Sequence, residues 1–194
     1  MKKLLTTHYS LLTNRGFSII ELLVVTAIIA TFSVVLVLNF RSSPKNQVAR
    51  SQTAAAVVSD IRRIQSMASA GSRFQGNVVC GYGIHYVSSA SYILYAGVLD
   101  GGATRCQDTN HNYQAGIDLV VETKNIINSN MEMRSSFSDV IFEPPDPKTY
   151  INNSALLTGP SATITIQLKA QASCAGTSCT LITIFPSGQI DTAN

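Results

Sequence analysis

Two patterns of apolar residues divide the chain. From Phe17 to Leu38 (FSIIELLVVTAIIATFSVVLVL), 17 of 22 residues are apolar and Glu21 is the only charge. A helix of about 20 apolar residues spans a bilayer. From about Gln47 to Ala70 the pattern turns periodic. Val57, Ile61, Ile64 and Ala68 fall at i, i+4, i+7 and i+11, which is one face of a helix, and Arg62 and Arg63 fall off it as a solvated face. Pro44 predicts an interruption or kink between the two helical stretches. Gly71 is a suitable helix stop.

Beyond Gly71 the chain breaks into short β-prone runs separated by turn residues. The predicted strands are Val78–Val87, Ser91–Val98, Asp118–Glu122, Val140–Phe142, Thr163–Lys169 and Thr180–Phe185. Pro186-Ser187-Gly188 marks a turn before a last extended piece, Gln189–Asp191. The EPPDP run, Glu143 to Pro147, reads as a rigid loop, and no internal repeat is visible.

Composition sharpens this division. Charged residues are 13% of the chain, about half the roughly 25% of an ordinary soluble domain. Ser, Thr and Asn together number 51, so hydroxyls and amides carry most of the polarity, which suits a β-rich surface outside the cytoplasm. Hydrophobic residues at 45% and a mean hydropathy of +0.19 exclude a disordered, highly charged chain. The formal net charge of +3 equals the contribution of Lys2, Lys3 and Arg15, all before the apolar run. The rest of the chain is formally neutral, so the basic balance is not a nucleic-acid signal.

Cys80, Cys106, Cys174 and Cys179 all follow the apolar segment. An even number beyond a membrane segment suits an oxidising compartment. Four cysteines allow three pairings. The Gly-containing CAGTSC turn favours Cys174 with Cys179, leaving Cys80 with Cys106; four reduced thiols are the alternative.

The N-terminus is informative in a different way. An ordinary secretory signal has an apolar core of about 7–15 residues and a small-residue cleavage site after it. Here the apolar run is longer, and neither such a site nor a lipobox cysteine follows. Glu21 lies inside the run, where a charge costs roughly 2.5 kcal/mol or more and signals function by default. The run Arg15-Gly16-Phe17-Ser18-Ile19-Ile20-Glu21, continuing LLVVTAIIA, closely resembles the class III signal of type IV pilins and type II secretion pseudopilins. The resemblance implies that a prepilin peptidase cuts after Gly16 and N-methylates Phe17. It also implies that Glu21, then the fifth residue, pairs with the α-amine of a neighbouring subunit during filament assembly. Basic residues flank the span on both sides (Lys2, Lys3 and Arg15; Arg41, Lys45 and Arg50). The positive-inside rule therefore leaves the orientation open, and a cytoplasmic N-terminus is implied by the resemblance alone. SDIRRIQSMASAG followed by a β-only remainder closing on ITIFPSGQID resembles the GspH/FimT group of minor pseudopilins. That likeness is specific over about residues 15–71 and weaker at CGYGIHY and the C-terminal strand pair.

Other chemistry is thin. His8 falls in the leader, and His85, beside Tyr82 and Tyr86, reads as structural. No HExxH, G-x-S-x-G or Ser/His/Asp arrangement is present, and CGYGIHY lacks the third glycine of a dinucleotide loop. No enzyme activity and no cofactor are expected. Asp108, Asn110, Asn112 and Asp118 place oxygen ligands as at the start of a calcium loop. The glycine expected at the sixth position is Tyr113 and the Glu expected at the twelfth is Leu119, so an Asx-rich turn is the simpler reading. Some FimT-like minor pilins capture DNA with a basic C-terminal tail. Nothing after Lys169 is Lys or Arg here, so only an Arg62/Arg63/Arg73 patch remains for phosphate neutralisation.

The expectation is thus an α+β, pilin-like chain. Residues 1–16 are a cleaved leader, 17–43 a transmembrane assembly helix, 44–71 its soluble amphipathic part, and 72–194 an antiparallel β-sheet head. The implied function is a structural subunit of a type IV pilus or type II secretion pseudopilus, held in the bacterial inner membrane before assembly. Its implied partners are other pilins and the prepilin peptidase. DNA capture by a competence pilus is the alternative.

Overall fold

The computed structural model describes residues 18–39, 43–71, 73–100, 102–144, 148–169, 171, 173–174 and 178–193. The chain is α+β and forms two compact units, one ending at Pro44 and one beginning at Lys45. Each is described by itself.

The first unit is helix α1, Ile19–Asn39. Its Ile19–Leu36 stretch has a mean hydropathy of 2.6, long and apolar enough to cross a membrane, and none of it is buried. Helix α2, Ser43–Ser69, is a separate element with Pro44 in its first turn. There a proline's missing N–H costs nothing and its fixed φ suits the helix. Gly71, at φ +58°, ends α2 by donating its N–H to Ala68 O at 2.9 Å. A left-handed glycine is the usual way for a helix to stop.

The second unit is built on α2. Val57, Ile61, Ile64 and Ala68 are all buried and Arg62 and Arg63 are exposed, as the periodicity predicts. The chain then forms β1 (Gly81–Ser88), β2 (Ser91–Gly97), β3 (Leu119–Asn125), β4 (Met131–Met133), β5 (Val140–Glu143), β6 (Lys148–Ile151), β7 (Ala162–Leu168), β8 (Cys179–Ile184) and β9 (Ile190–Ala193). All pairings are antiparallel.

The antiparallel β head consists of two sheets. One has the order β3-β2-β1-β5-β6, the other β4-β7-β8-β9. Two strands that the sequence pattern does not predict complete them. β4 is three residues long and β6 directly follows the proline run, so neither has room to show a period-2 pattern. β5 and β6 are adjacent, antiparallel strands with Glu143 opposite Lys148. The rigid loop expected over Glu143–Pro147 falls largely on residues 145–147, which lie outside the described residues.

One apolar cluster joins α2 to both sheets. Alternate residues of each strand supply it: Tyr82 and Ile84 from β1, Leu94 from β2, Val140 and Phe142 from β5, Ile164 and Ile166 from β7, Ile182 and Ile184 from β8. The strand period of two places them on one face. The other face of the five-stranded sheet carries Tyr95, Ile141 and Tyr150 in a second cluster. Gly83 is paired with Tyr95, and a Cβ at Gly83 would stand 2.5 Å from the Tyr95 ring. The glycine lets that ring lie flat across β1, a known way to stabilise glycine in a strand.

Replacing Ile61 by Ala should cost about 2–5 kcal/mol, because a fully buried side chain leaves a cavity between helix and sheets. Arg62→Ala should change stability by no more than about 0.5 kcal/mol. Urea unfolding of the full chain in detergent, followed by tyrosine fluorescence, compares the two. Equal midpoints for Ile61→Ala and wild type would show that the stripe is not the core.

Candidate functional site

Gly16 and Phe17 lie outside the described residues. Glu21 is described: it sits exposed in the first turn of α1, where its N–H donates to Ser18 O at 3.0 Å. It is the only charge between Ser18 and Asn39. The positive end of the helix dipole favours a carboxylate there. The hydroxyls farther along bond back to the helix itself: Thr26 to Leu23 O, Thr31 to Ile28 O and Ser33 to Ile29 O, at 2.7–3.0 Å. Helix backbones and hydroxyls satisfied in this way can face hydrocarbon, whereas an unpartnered polar group cannot. α1 is therefore an apolar surface with one charge at its start, and that charge has no ion-pair partner among the described residues.

The second polar concentration is the segment between β2 and β3, which covers Tyr95, Ile141 and Tyr150. The Cys80 and Cys106 sulfurs are bonded, tying the residue before β1 to the one-turn 3-10 helix Cys106–Asp108. Cys174 and Cys179 are bonded across their short turn.

Three of the four calcium candidates have a side-chain oxygen engaged within the protein, while Asn112 Oδ1 is buried with no hydrogen-bond partner among the described residues. Asp108 Oδ2 accepts from Arg105 Nε at 2.9 Å. Asn110 Oδ1 accepts the Asn112 N–H at 3.0 Å, which is an Asx turn. Asp118 accepts the Val98 N–H through Oδ1 and the Gln114 N–H through Oδ2, at 3.1 and 2.7 Å. Asn112 Nδ2 reaches Asn152 Oδ1 at 3.4 Å. Among the described residues, no three His, Cys, Asp or Glu side chains gather closely enough to hold a metal ion. Burial raises the Asp118 carboxyl pKa above its usual range, opposed by its two backbone N–H donors. Asp100, which accepts from Gln114 Nε2 and Thr109 Oγ1, is held below that range, first by the Gln114 bond.

Three residues without a sequence motif pin this segment from outside it. Asp139 accepts His85 Nδ1 through Oδ1 at 2.7 Å and the Tyr113 N–H through Oδ2 at 2.8 Å. Asn153 Oδ1 accepts the His111 N–H at 2.9 Å and lies 3.1 Å from its Nδ1. Tyr95 donates its hydroxyl to His111 O at 3.0 Å. Asn152 and Asn153 have φ of 49° and 61°, and Ile151 and Ser154 exchange backbone hydrogen bonds around them. That is a type I′ turn, and the Asn-Asn pair was the one sequence signal that could have found it.

His85 is half-buried and its Nδ1 is hydrogen-bonded to Asp139 Oδ1. His111 is deeply buried. Its ring stacks on Tyr150 at 3.6 Å, and Nε2 has no hydrogen-bond partner among the described residues, with Glu143 Oε2 at 4.0 Å. Desolvation lowers its pKa, outweighing the Asn153 bond and the Glu143 charge that favour the cation.

The candidate cationic patch is divided. Arg63 bonds Glu122 at 2.6 Å and lies 3.9 Å from Asp60. Arg62 and Arg73 carry no such pairing among the described residues.

A histidine whose folded pKa is depressed stabilises the fold above its unfolded pKa, about 6.5, and loses that contribution as pH falls toward the folded value. The stability difference between wild type and His111→Phe should therefore shrink or reverse as pH is lowered from 7.5 to 5. Thermal melts of both proteins across that range test this, and a pH-independent difference would contradict a neutral buried His111. Neither a family model, nor a curated protein, nor a solved structure matches the chain.

Proposed function

We propose that the chain is a minor pilin or pseudopilin, a structural subunit whose α1 anchors it in the bacterial inner membrane and then packs in the core of a filament. The observation that carries this reading is Glu21, the single charge at the start of an otherwise apolar helix, directly after the Gly16-Phe17 pair that resembles a prepilin peptidase site. Cleavage there frees an α-ammonium on Phe17. A buried carboxylate is tolerable in hydrocarbon when it pairs with a cation, so Glu21 of one subunit and the Phe17 amine of its neighbour would neutralise each other and set the axial register. Several features support the layout: a membrane-length helix, a second helix with one apolar face, and a β head containing two disulfides. The head fits an extracytoplasmic position because disulfides persist in oxidising compartments. DNA capture has weaker support, since Arg63 is committed to Glu122 and no basic residue follows Lys169.

Glu21→Val should leave membrane insertion intact and abolish incorporation into sheared filaments, while Gly16→Ala should leave the 16-residue leader attached, read by mass spectrometry of the membrane fraction. Wild-type assembly by Glu21→Val, or normal processing of Gly16→Ala, would contradict the assignment.

A further inference from the structure

The head keeps unmet hydrogen-bonding and charge capacity between α2 and the β9 edge of the four-stranded sheet. Among the described residues β9 pairs with β8 alone. Phe185 N–H donates to Gln189 O at 2.9 Å, and opposed antiparallel residues alternate between bonded and unbonded pairs. Asp191 and Ala193 therefore turn their backbone groups toward β8, and Ile190 and Thr192 turn theirs to the open edge. Consistently, the Thr192 N–H donates to no β8 carbonyl but to Asp191 Oδ1, at 2.8 Å. β9 faces α2 across a groove of about 450 Å³, lined by Ala54, Ala55, Val58 and Arg62 on one side and Ile190 and Thr192 on the other. The small side chains of α2 leave room for a main chain beside β9.

Charge gives the second, independent indication. Arg50 is only 6% exposed, and its hydrogen-bond acceptor is the neutral Thr180 Oγ1, at 3.1 Å. Thr180 itself lines the groove. Arg62 lies exposed in the groove wall. Among the described residues, no carboxylate lies within 4.0 Å of either guanidinium. A buried guanidinium without a counter-charge is an unfavourable state that an arriving carboxylate relieves.

We propose that this groove takes an extended segment of another protein chain, which adds as a strand to β9 and carries a carboxylate toward Arg50 and Arg62. Strand addition matches a row of backbone donors and acceptors, with side-chain contacts supplying specificity. A nucleic acid fits less well: a polyphosphate needs a continuous track of cations, whereas Arg63 beside Arg62 is neutralised by Glu122, which leaves Arg62 as the one cation among the described residues of the lining. The proposal rests on α2, β8 and β9 alone, so it stands or falls separately from the filament reading.

The test uses the full chain in detergent micelles. Three labelled probes are titrated by fluorescence anisotropy: a short peptide of alternating threonine and valine with one central aspartate, its asparagine counterpart, and a single-stranded oligothymidylate. The aspartate peptide should bind about tenfold more tightly than the asparagine one, because a charge-assisted pair is the stronger bond. Arg62→Ala should remove that preference. Thr192→Pro, which deletes an outward N–H on an edge strand together with its bond to Asp191 Oδ1, should weaken both peptides about tenfold. Ala55→Phe, which fills the groove from an exposed position, should do the same if the proline perturbs β9. Equal affinity for the two peptides, no peptide binding, tighter binding of the oligonucleotide, or indifference to both groove variants would overturn the proposal.

Discussion

The head depends on the burial of one stripe of α2. Val57, Ile61 and Ile64 are at most 1% exposed, and they meet apolar side chains from β1, β5, β7 and β8 in a single cluster. Each sheet presents one apolar face, and neither can leave that face in water without losing the main favourable contribution to folding. Burying both faces in a cluster shared with one helix solves the problem for all three elements together. It also fixes the roll of α2. Arg62 and Arg63 must point outward once Ile61 and Ile64 point inward, and this turns Arg63 toward Glu122 and places Arg62 in the groove beside β9.

The second face of the five-stranded sheet is solved by different means. Its Tyr95, Ile141 and Tyr150 are covered by an irregular segment with no strand or long helix of its own. Such a segment carries many backbone groups that need partners. Asp118 takes two of its N–H groups, Asp139 one and Asn153 one, and the Cys80–Cys106 bond holds its first part to β1. Oxygen-rich spacing that resembles a cation loop is thus used to terminate backbone donors. His111 is the weak point of this cover: it is enclosed, stacked and left with an unbonded ring nitrogen.

α1 and the head follow opposite polar logic. In α1, the described hydroxyls bond within the helix, and Glu21 has no ion-pair partner among the described residues. In the head some charges are matched locally, as in the Asp60, Arg63, Glu122 and Lys124 group, whose cations hold the Glu122 carboxyl below its usual range. Glu21 lies at the start of the apolar helix, Arg62 lines the groove beside β9, and Arg50 is buried against Thr180 of the same groove.

Several features were legible in the chain alone because they depend on local periodicity or fixed backbone chemistry. Seventeen apolar residues in 22 specify a membrane-length helix wherever it is placed. The 3.6-residue spacing of Val57, Ile61, Ile64 and Ala68 marks the buried face, and the left-handed Gly71 marks its end. β7 and β8 announce themselves by alternation in TITIQLK and TLITIF. What the chain could not disclose depends on partners distant in sequence. The division into two sheets follows from which strands find each other, and β4 and β6 are too short to carry a period. Asp139 and Asn153 become important only because the fold brings them to Tyr113 and His111, 26 and 42 residues away. The open edge of β9 and an Arg50 with no carboxylate partner among the described residues are likewise products of tertiary arrangement: a residue's neighbours along the chain fix its local geometry, and only packing decides which partners its polar groups meet.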